Sequence, residues 1–230
     1  MQLDSNEKIE SLLIGDYKII QSSALYKFTS DAIMLSRFCK AGAKTVLDLC
    51  GGSGIVGLHY YALNGADKVV EVEIQQELAS MCERSVALNN LQDVFTVQNL
   101  NLKDFDGRHK FDLVTCNPPY QKAGSGKTPE NKHLAICRAE VTCTLSDIVD
   151  AAKRSLKEGG RFCMCQRIDR LVETITLFSQ AGINPSRLTF VAGKLKDATK
   201  PYLFLIEGIY QRNKELEIGF ITNTATDFRG

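Results

Sequence analysis

Thr45-Val46-Leu47-Asp48-Leu49-Cys50-Gly51-Gly52-Ser53-Gly54 is a short apolar run broken by a glycine-rich turn, and Ile55 to Leu63 then follow a helical pattern. A strand that ends in small residues and gives way to a helix is the opening unit of an open α/β sheet. The alternation continues. Lys68–Glu73 is rich in valine and reads as a strand. Gln75 to Asn89 reads as a helix, with Leu78, Met81, Cys82, Ser85, Val86 and Asn89 on one face at helical spacing. Val94–Val97 and Phe111–Cys116 are the next strands. Leu145 to Leu156 is a helix stopped at Gly159-Gly160, Arg161–Gln166 a strand, and Asp169 to Ala181 a helix capped by Gly182. Arg187–Val191 and Tyr202–Tyr210 follow with no helix long enough to separate them, so they pair antiparallel. The pattern predicts an α/β fold: a Rossmann-like, seven-stranded, mostly parallel sheet with a C-terminal antiparallel β-hairpin. Residues 1–43 read as an N-terminal extension packed on the core and helical around Ser30–Lys40; residues 44–230 form the main domain.

Composition sets the class. A chain of 230 residues with 44% hydrophobic and 24% charged residues has enough apolar surface for a sizeable core. It has no apolar run long enough to span a bilayer, and Met1 to Glu10 is too polar for a signal peptide. The expectation is a cytoplasmic protein without membrane contact. Most of the 8 cysteines sit in apolar segments, where a reduced thiol packs as a small hydrophobe. Paired C-x-x-C knuckles are absent, so no metal is expected. Cys163 and Cys165 have strand spacing and face the same side, as core residues do. A net charge of +1 does not announce a nucleic-acid binder. Two stretches are locally basic: Arg187 to Lys214, and the loop holding Lys122, Lys127, Lys132, His133 and Arg138. Either could meet phosphates, and either could equally be a solvated face.

The strand Phe111–Cys116 runs directly into Asn117-Pro118-Pro119-Tyr120. Asn-Pro is a common turn dipeptide. Here the turn also carries the chemistry needed to hold a planar amino group. Two prolines fix the backbone and remove two N–H donors, so the loop presents acceptors. Asn117 adds an amide oxygen and Tyr120 a ring on which a flat group can stack. The glycine-rich turn supplies the other half of a site. Asp48 ahead of the glycines suits a cationic ligand rather than a pyrophosphate. Glu73, about 20 residues beyond the turn, stands where ribose hydroxyls are held, although an acid there also suits a helix start. A nucleoside with a positive tail is what S-adenosylmethionine offers.

With both features in one domain, the chain resembles the class I N6-adenine methyltransferases, transferases that use S-adenosyl-L-methionine. Within these it is similar to the bacterial family that methylates the adenine beside the anticodon of a valine tRNA. Leu25-Tyr26-Lys27-Phe28-Thr29-Ser30-Asp31-Ala32 matches that family's N-terminal signature, and Val46–Cys50 with Gly52-Ser53-Gly54 its cofactor loop. Val70–Gln75 matches its ribose-binding strand end, Asn117–Tyr120 its catalytic loop, and Arg138-Ala139-Glu140 with Thr144-Leu145 its next helix. The resemblance implies a tRNA-processing enzyme, active as a monomer. Asn117, Pro118, Pro119 and Tyr120 are its implied catalytic residues. Asp31, Asp48, Gly52, Gly54, Glu73, Asn101 and Asn117 would bind the cofactor. Lys27, Lys122, Lys127, Lys132 and Arg138 would bind RNA. The chain departs from the family at Leu100-Asn101, where an acid is usual, and at Ala139, where histidine is usual. Asn101 can still accept a hydrogen bond, but without charge. The same catalytic loop also serves methyltransferases acting on rRNA, DNA or a protein glutamine, and Leu100-Asn101 leaves open a weakened enzyme that acts as an RNA-binding module.

Overall fold

The computed structural model describes residues 3–25, 29–118, 120, 142–193 and 200–223. Strand β1 (Glu7–Ser11) pairs antiparallel with β2 (Lys18–Ser22), and helix α1 (Ser30–Phe38) follows. The alternating region holds β3 (Thr45–Leu49), α2 (Ile55–Asn64), β4 (Lys68–Glu73), α3 (Gln76–Leu88), β5 (Phe95–Asn99) and β6 (Phe111–Cys116). After it come α4 (Leu145–Ser155), β7 (Leu156–Arg167), α5 (Leu171–Gln180), β8 (Ile183–Ala192), β9 (Pro201–Tyr210) and β10 (Glu217–Thr222).

The large sheet runs β10-β8-β9-β7-β6-β3-β4-β5. Pairs β3–β4, β3–β6, β4–β5 and β6–β7 are parallel, while β7–β9 and β8–β9 are antiparallel. All seven expected strands are present, with the late pair antiparallel as the missing crossover helix requires. An eighth, β10, joins the edge parallel to β8. Chain order reverses at β3, whose neighbours are β4 on one side and β6 on the other. In open α/β sheets the ligand crevice opens at such a switch point, beyond the carboxyl ends of the strands. The two loops singled out in the sequence follow β3 and β6, so the topology places them side by side.

Buried valines, leucines and isoleucines of the strands pack against helices on both faces, each contributing about 1.5–3 kcal/mol of transfer free energy. One hydrophobic cluster joins Leu12 and Ile19 of the N-terminal region and Leu35 of α1 to Leu58, Leu113 and Leu205. α4 starts with a capping box in which Thr144 and Asp147 each bond the other's backbone N–H. It ends at Ser155, earlier than expected. Gly159-Gly160 does not stop the helix but lies within β7, where the register against β6 shifts between Phe111 and Leu113. Gly159 has φ +75°, and a Cβ on Gly160 would press on the Phe111 carbonyl oxygen, so this bulge needs both glycines. The seven described cysteines are free thiols. Among the described residues no helix is long and apolar enough to cross a membrane, and no cluster of His, Cys, Asp and Glu could hold a metal ion.

Candidate active site

The loop after β3 is folded by left-handed residues, with φ +57° at Cys50, +58° at Gly52 and +85° at Gly54. Cys50 pays a steric cost that glycine would not. Glu73 at the end of β4 ties the loop down. Its Oε2 accepts from the Gly52 N–H at 2.9 Å and its Oε1 from the Gln75 N–H at 2.8 Å. Burial pushes the Glu73 carboxyl up, while the N–H groups of Gln75, Gly52 and Ile74 draw it back. From the N-terminal hairpin, buried Gln21 donates its Nε2 hydrogen to Ser53 Oγ at 3.1 Å.

Asp48 does not line the crevice. It is 1% exposed and lies beneath the glycine turn, accepting the Thr115 hydroxyl at 2.7 Å and facing Glu71. Burial pushes its pKa up to about 7. Its influence on a ligand is therefore electrostatic, through the loop, rather than a direct contact with an ammonium group.

Beyond the strand ends lies a cavity of about 380 Å³, lined by residues of both loops. Ile74, Leu100 and Leu102 give the lining apolar surface, and Glu73 and Asn101 line the cavity as well. Asn101 Oδ1 accepts the Lys103 N–H at 3.0 Å, which leaves it one further lone pair. Gly52 has open space where a Cβ would stand, so the turn is clear on one side.

Asn117 and Tyr120 meet Asp31 of α1 and Cys165 of β7, and Pro118 lines the cavity with them. The Tyr120 hydroxyl lies 2.8 Å from Asn117 Oδ1, 3.2 Å from Asp31 Oδ2 and 3.3 Å from Cys165 Sγ. The Cys165 thiol donates to the same Asn117 oxygen at 2.9 Å. Sequence reasoning took Cys165 for a packing residue. It is fully buried, and its bond to Asn117 crosses between strands, so spacing along the chain carries no trace of it. Gln21 was missed for the same reason, its partner Ser53 lying 32 positions away. The structure thus brings together Asp31, Gly52, Glu73, Asn101, Asn117, Pro118 and Tyr120 around one crevice. Gly54 does not line it: a Cβ there would strike Cys82 of α3, so this glycine lets the turn pack on that helix. Pro119, Lys27, Lys122, Lys127, Lys132 and Arg138 lie outside the described residues.

Residues 29–180 match the methyltransferase small domain model, which covers more than half of the chain and both loops. The chain belongs to the methyltransferase small domain family.

Relatives of this small-domain methyltransferase include the tRNA1(Val) (adenine(37)-N6)-methyltransferases of Shewanella sediminis and Flavobacterium psychrophilum. The first is 22% identical over 185 residues, covering 77% of this chain and 75% of the relative. The second is 21% identical over 203 residues, covering 86% and 84%. Solved structures share the fold. The adenosine complex of Methanocaldococcus jannaschii Trm5 has a TM-score of 0.65 at 13% identity, over 93% of this chain and 59% of that one. A ribosomal protein L11 methylase from Lactobacillus delbrueckii subsp. bulgaricus has a TM-score of 0.58 at 18% identity, over 83% and 84%. The cofactor of this small-domain methyltransferase is S-adenosylmethionine. The crevice fits it: apolar lining side chains for a base, the Glu73 carboxyl to accept from ribose hydroxyls, and the buried acids Asp48 and Glu71 below the loop to favour a cation.

Proposed function

We propose that this methyltransferase modifies the N6 amino group of an adenine in tRNA, the adenine beside the anticodon of a valine tRNA, in the cytoplasm. The observation that carries the reading is Asn117, just past the end of β6, in the wall of the cavity that the glycine turn of β3 also lines. Adenosine-modifying enzymes take their target out of the stack, and a flipped adenine would lie against Tyr120. The names of the relatives support tRNA over other carriers of a planar amine.

S-adenosylmethionine supplies the electrophilic methyl group. Glu73 and Asn101 would bind its nucleoside part, and the Gly52–Gly54 turn would pass closely beside it. The chain's own residues act on the amine. An N6 lone pair is delocalised into the purine and is a poor nucleophile. The Asn117 Oδ1 and the Pro118 carbonyl accept the two amino hydrogens, which turns the lone pair toward the donor. Such alignment supplies about 7–11 kcal/mol in favourable cases. No side chain need remove a proton first, because the methylated ammonium is itself strongly acidic. Lys27, Lys122, Lys127, Lys132 and Arg138 hold the RNA by its phosphates. Mass spectrometry of tRNA nucleosides from a strain lacking the gene tests the reading. Loss of N6-methyladenosine from a valine tRNA alone is the expected result. Unchanged tRNA, with methyl transfer to a Gly-Gly-Gln peptide instead, would move the substrate to protein glutamine.

A further inference from the structure

The Tyr120 hydroxyl has one hydrogen and three acceptors within reach: Asn117 Oδ1, Asp31 Oδ2 and Cys165 Sγ. It can serve only one at a time. Asn117 Oδ1 has two lone pairs, and the Cys165 thiol takes one at 2.9 Å. When Tyr120 donates to the other, nothing remains for a substrate amine. When Tyr120 turns its hydrogen to Asp31, one lone pair of Asn117 opens toward the cavity. Asp31 is placed for that exchange. It sits in the first turn of α1 and in the cavity wall, with the side chains of Thr29, Ser30 and Tyr202 close enough to favour its charged form.

We propose that Asp31 is a positioning residue for methyl transfer: by drawing the Tyr120 hydroxyl onto its carboxylate, it releases Asn117 Oδ1 to receive the amino hydrogen of the substrate. This rests on Asn117 being the amine acceptor described above. It assigns Asp31 to the acceptor side of the crevice rather than to the cofactor. The exchange needs Asp31 ionised. A protonated carboxyl donates to Tyr120 and leaves the phenol's hydrogen on Asn117. Burial raises the Asp31 pKa and the hydroxyl donors oppose the rise. The titratable groups facing it are Tyr120 of the catalytic loop, Cys165 of β7 and Tyr202 of β9.

A double-mutant cycle with a valine tRNA transcript tests this. Asp31→Ala leaves Asn117 as the main acceptor for the Tyr120 hydroxyl, and kcat falls about 10- to 100-fold, the range for losing a hydrogen bond to a charged group. Calorimetric affinity for S-adenosylmethionine stays within about twofold of wild type. Tyr120→Phe keeps the ring and costs a few-fold. Asp31→Ala with Tyr120→Phe returns to the level of Tyr120→Phe alone, because the blocking hydroxyl is gone. Asp31→Asn retains an acceptor oxygen, tolerates the fold better and falls in between. The acid limb of the kcat profile is present in wild type and missing in the double variant. Failure of Tyr120→Phe to rescue either Asp31 variant overturns the inference, as does a loss of cofactor affinity that accounts for the loss of activity. A wild-type protein that leaves adenine in tRNA unmethylated removes the substrate reading, and the inference with it.

Discussion

Asp48 and Glu71 face each other across the adjacent parallel strands β3 and β4, each 1% exposed, so that one proton held between them would spare the pair its repulsion. With both ionised, Asp48 Oδ2 and both Glu71 oxygens would have no donor. Burial and the neighbouring charge push Glu71 well above its ordinary value and Asp48 up to about 7. The folded state therefore binds protons that the unfolded chain gives up at about pH 4. A raised folded pKa contributes stability that is complete below the unfolded pKa and lost as pH rises through the folded one. Urea unfolding should show stability falling from about pH 4 to about pH 7 and beyond. Glu71→Gln, which offers Asp48 a permanent N–H donor, should flatten that fall. An equally steep decline in the variant would rule out the shared proton.

Two glycines exist to make room for Glu71. A Cβ on Gly57 in α2 would collide with Glu71 Oε1, and one on Gly51 with Glu71 Oε2. Gly57→Ala should destabilise the fold by about 1–3 kcal/mol, the usual range for overpacking. Gly57→Ala with Glu71→Ala should recover much of that loss, since the second change removes the atom that is struck. Chemical denaturation of the four variants measures the coupling, and simple additivity would show that Gly57 serves another purpose.

Asn117→Ala should abolish turnover and leave the calorimetric affinity for S-adenosylmethionine close to wild type. The change deletes the amine acceptor without touching Glu73 or the glycine turn. Full activity in that variant would end the methyl-transfer reading of the loop.

Glu73→Gln should weaken cofactor binding about tenfold, the effect of losing one charge-assisted hydrogen bond. A carboxylate accepts from both Gly52 and Gln75, whereas an amide must turn an NH2 toward one of these donors. S-adenosylhomocysteine, which lacks the sulfonium charge, should lose affinity to the same extent. A loss confined to S-adenosylmethionine would place Glu73 beside the sulfonium instead.

Binding to tRNA should weaken with salt, and each of Lys122, Lys127, Lys132 and Arg138 changed to alanine should reduce the log–log slope by about one. A flat salt dependence in wild type would leave these residues as surface solvation only.

What the sequence reveals of this fold is what repeats along the chain. β4 and β6 fall where the apolar runs place them, and α3 within a residue at either end, because burial sets a period that composition must follow. The β1–β2 hairpin escaped notice: its strands are five residues each, β1 has no fully buried residue and β2 buries four in a row, so neither shows the alternation of a half-buried strand. Gly159-Gly160 misled because a glycine pair marks a helix end and a strand bulge equally well. At the site, Glu73, Asn117 and Tyr120 were legible because each sits at a fixed offset from a strand end. The direction in which Asp48 points was not, since it depends on Glu71 of the next strand. Cys165 shows the same limit: its partner oxygen is 48 positions away.

The wall that holds Asp31 is closed by distant chain. Asn223 donates to Ser30 Oγ at 3.1 Å, across 193 positions, and to the Tyr202 hydroxyl that reaches Asp31. A ribosome working at roughly 5–20 residues per second makes Asn223 roughly 10–40 s after Ser30. For roughly the last 5–20 s of it the glycine turn and Asn117 have been made, yet the bracket around Asp31 has not. The brace of the acceptor wall is thus made later than either of the two loops it stands beside.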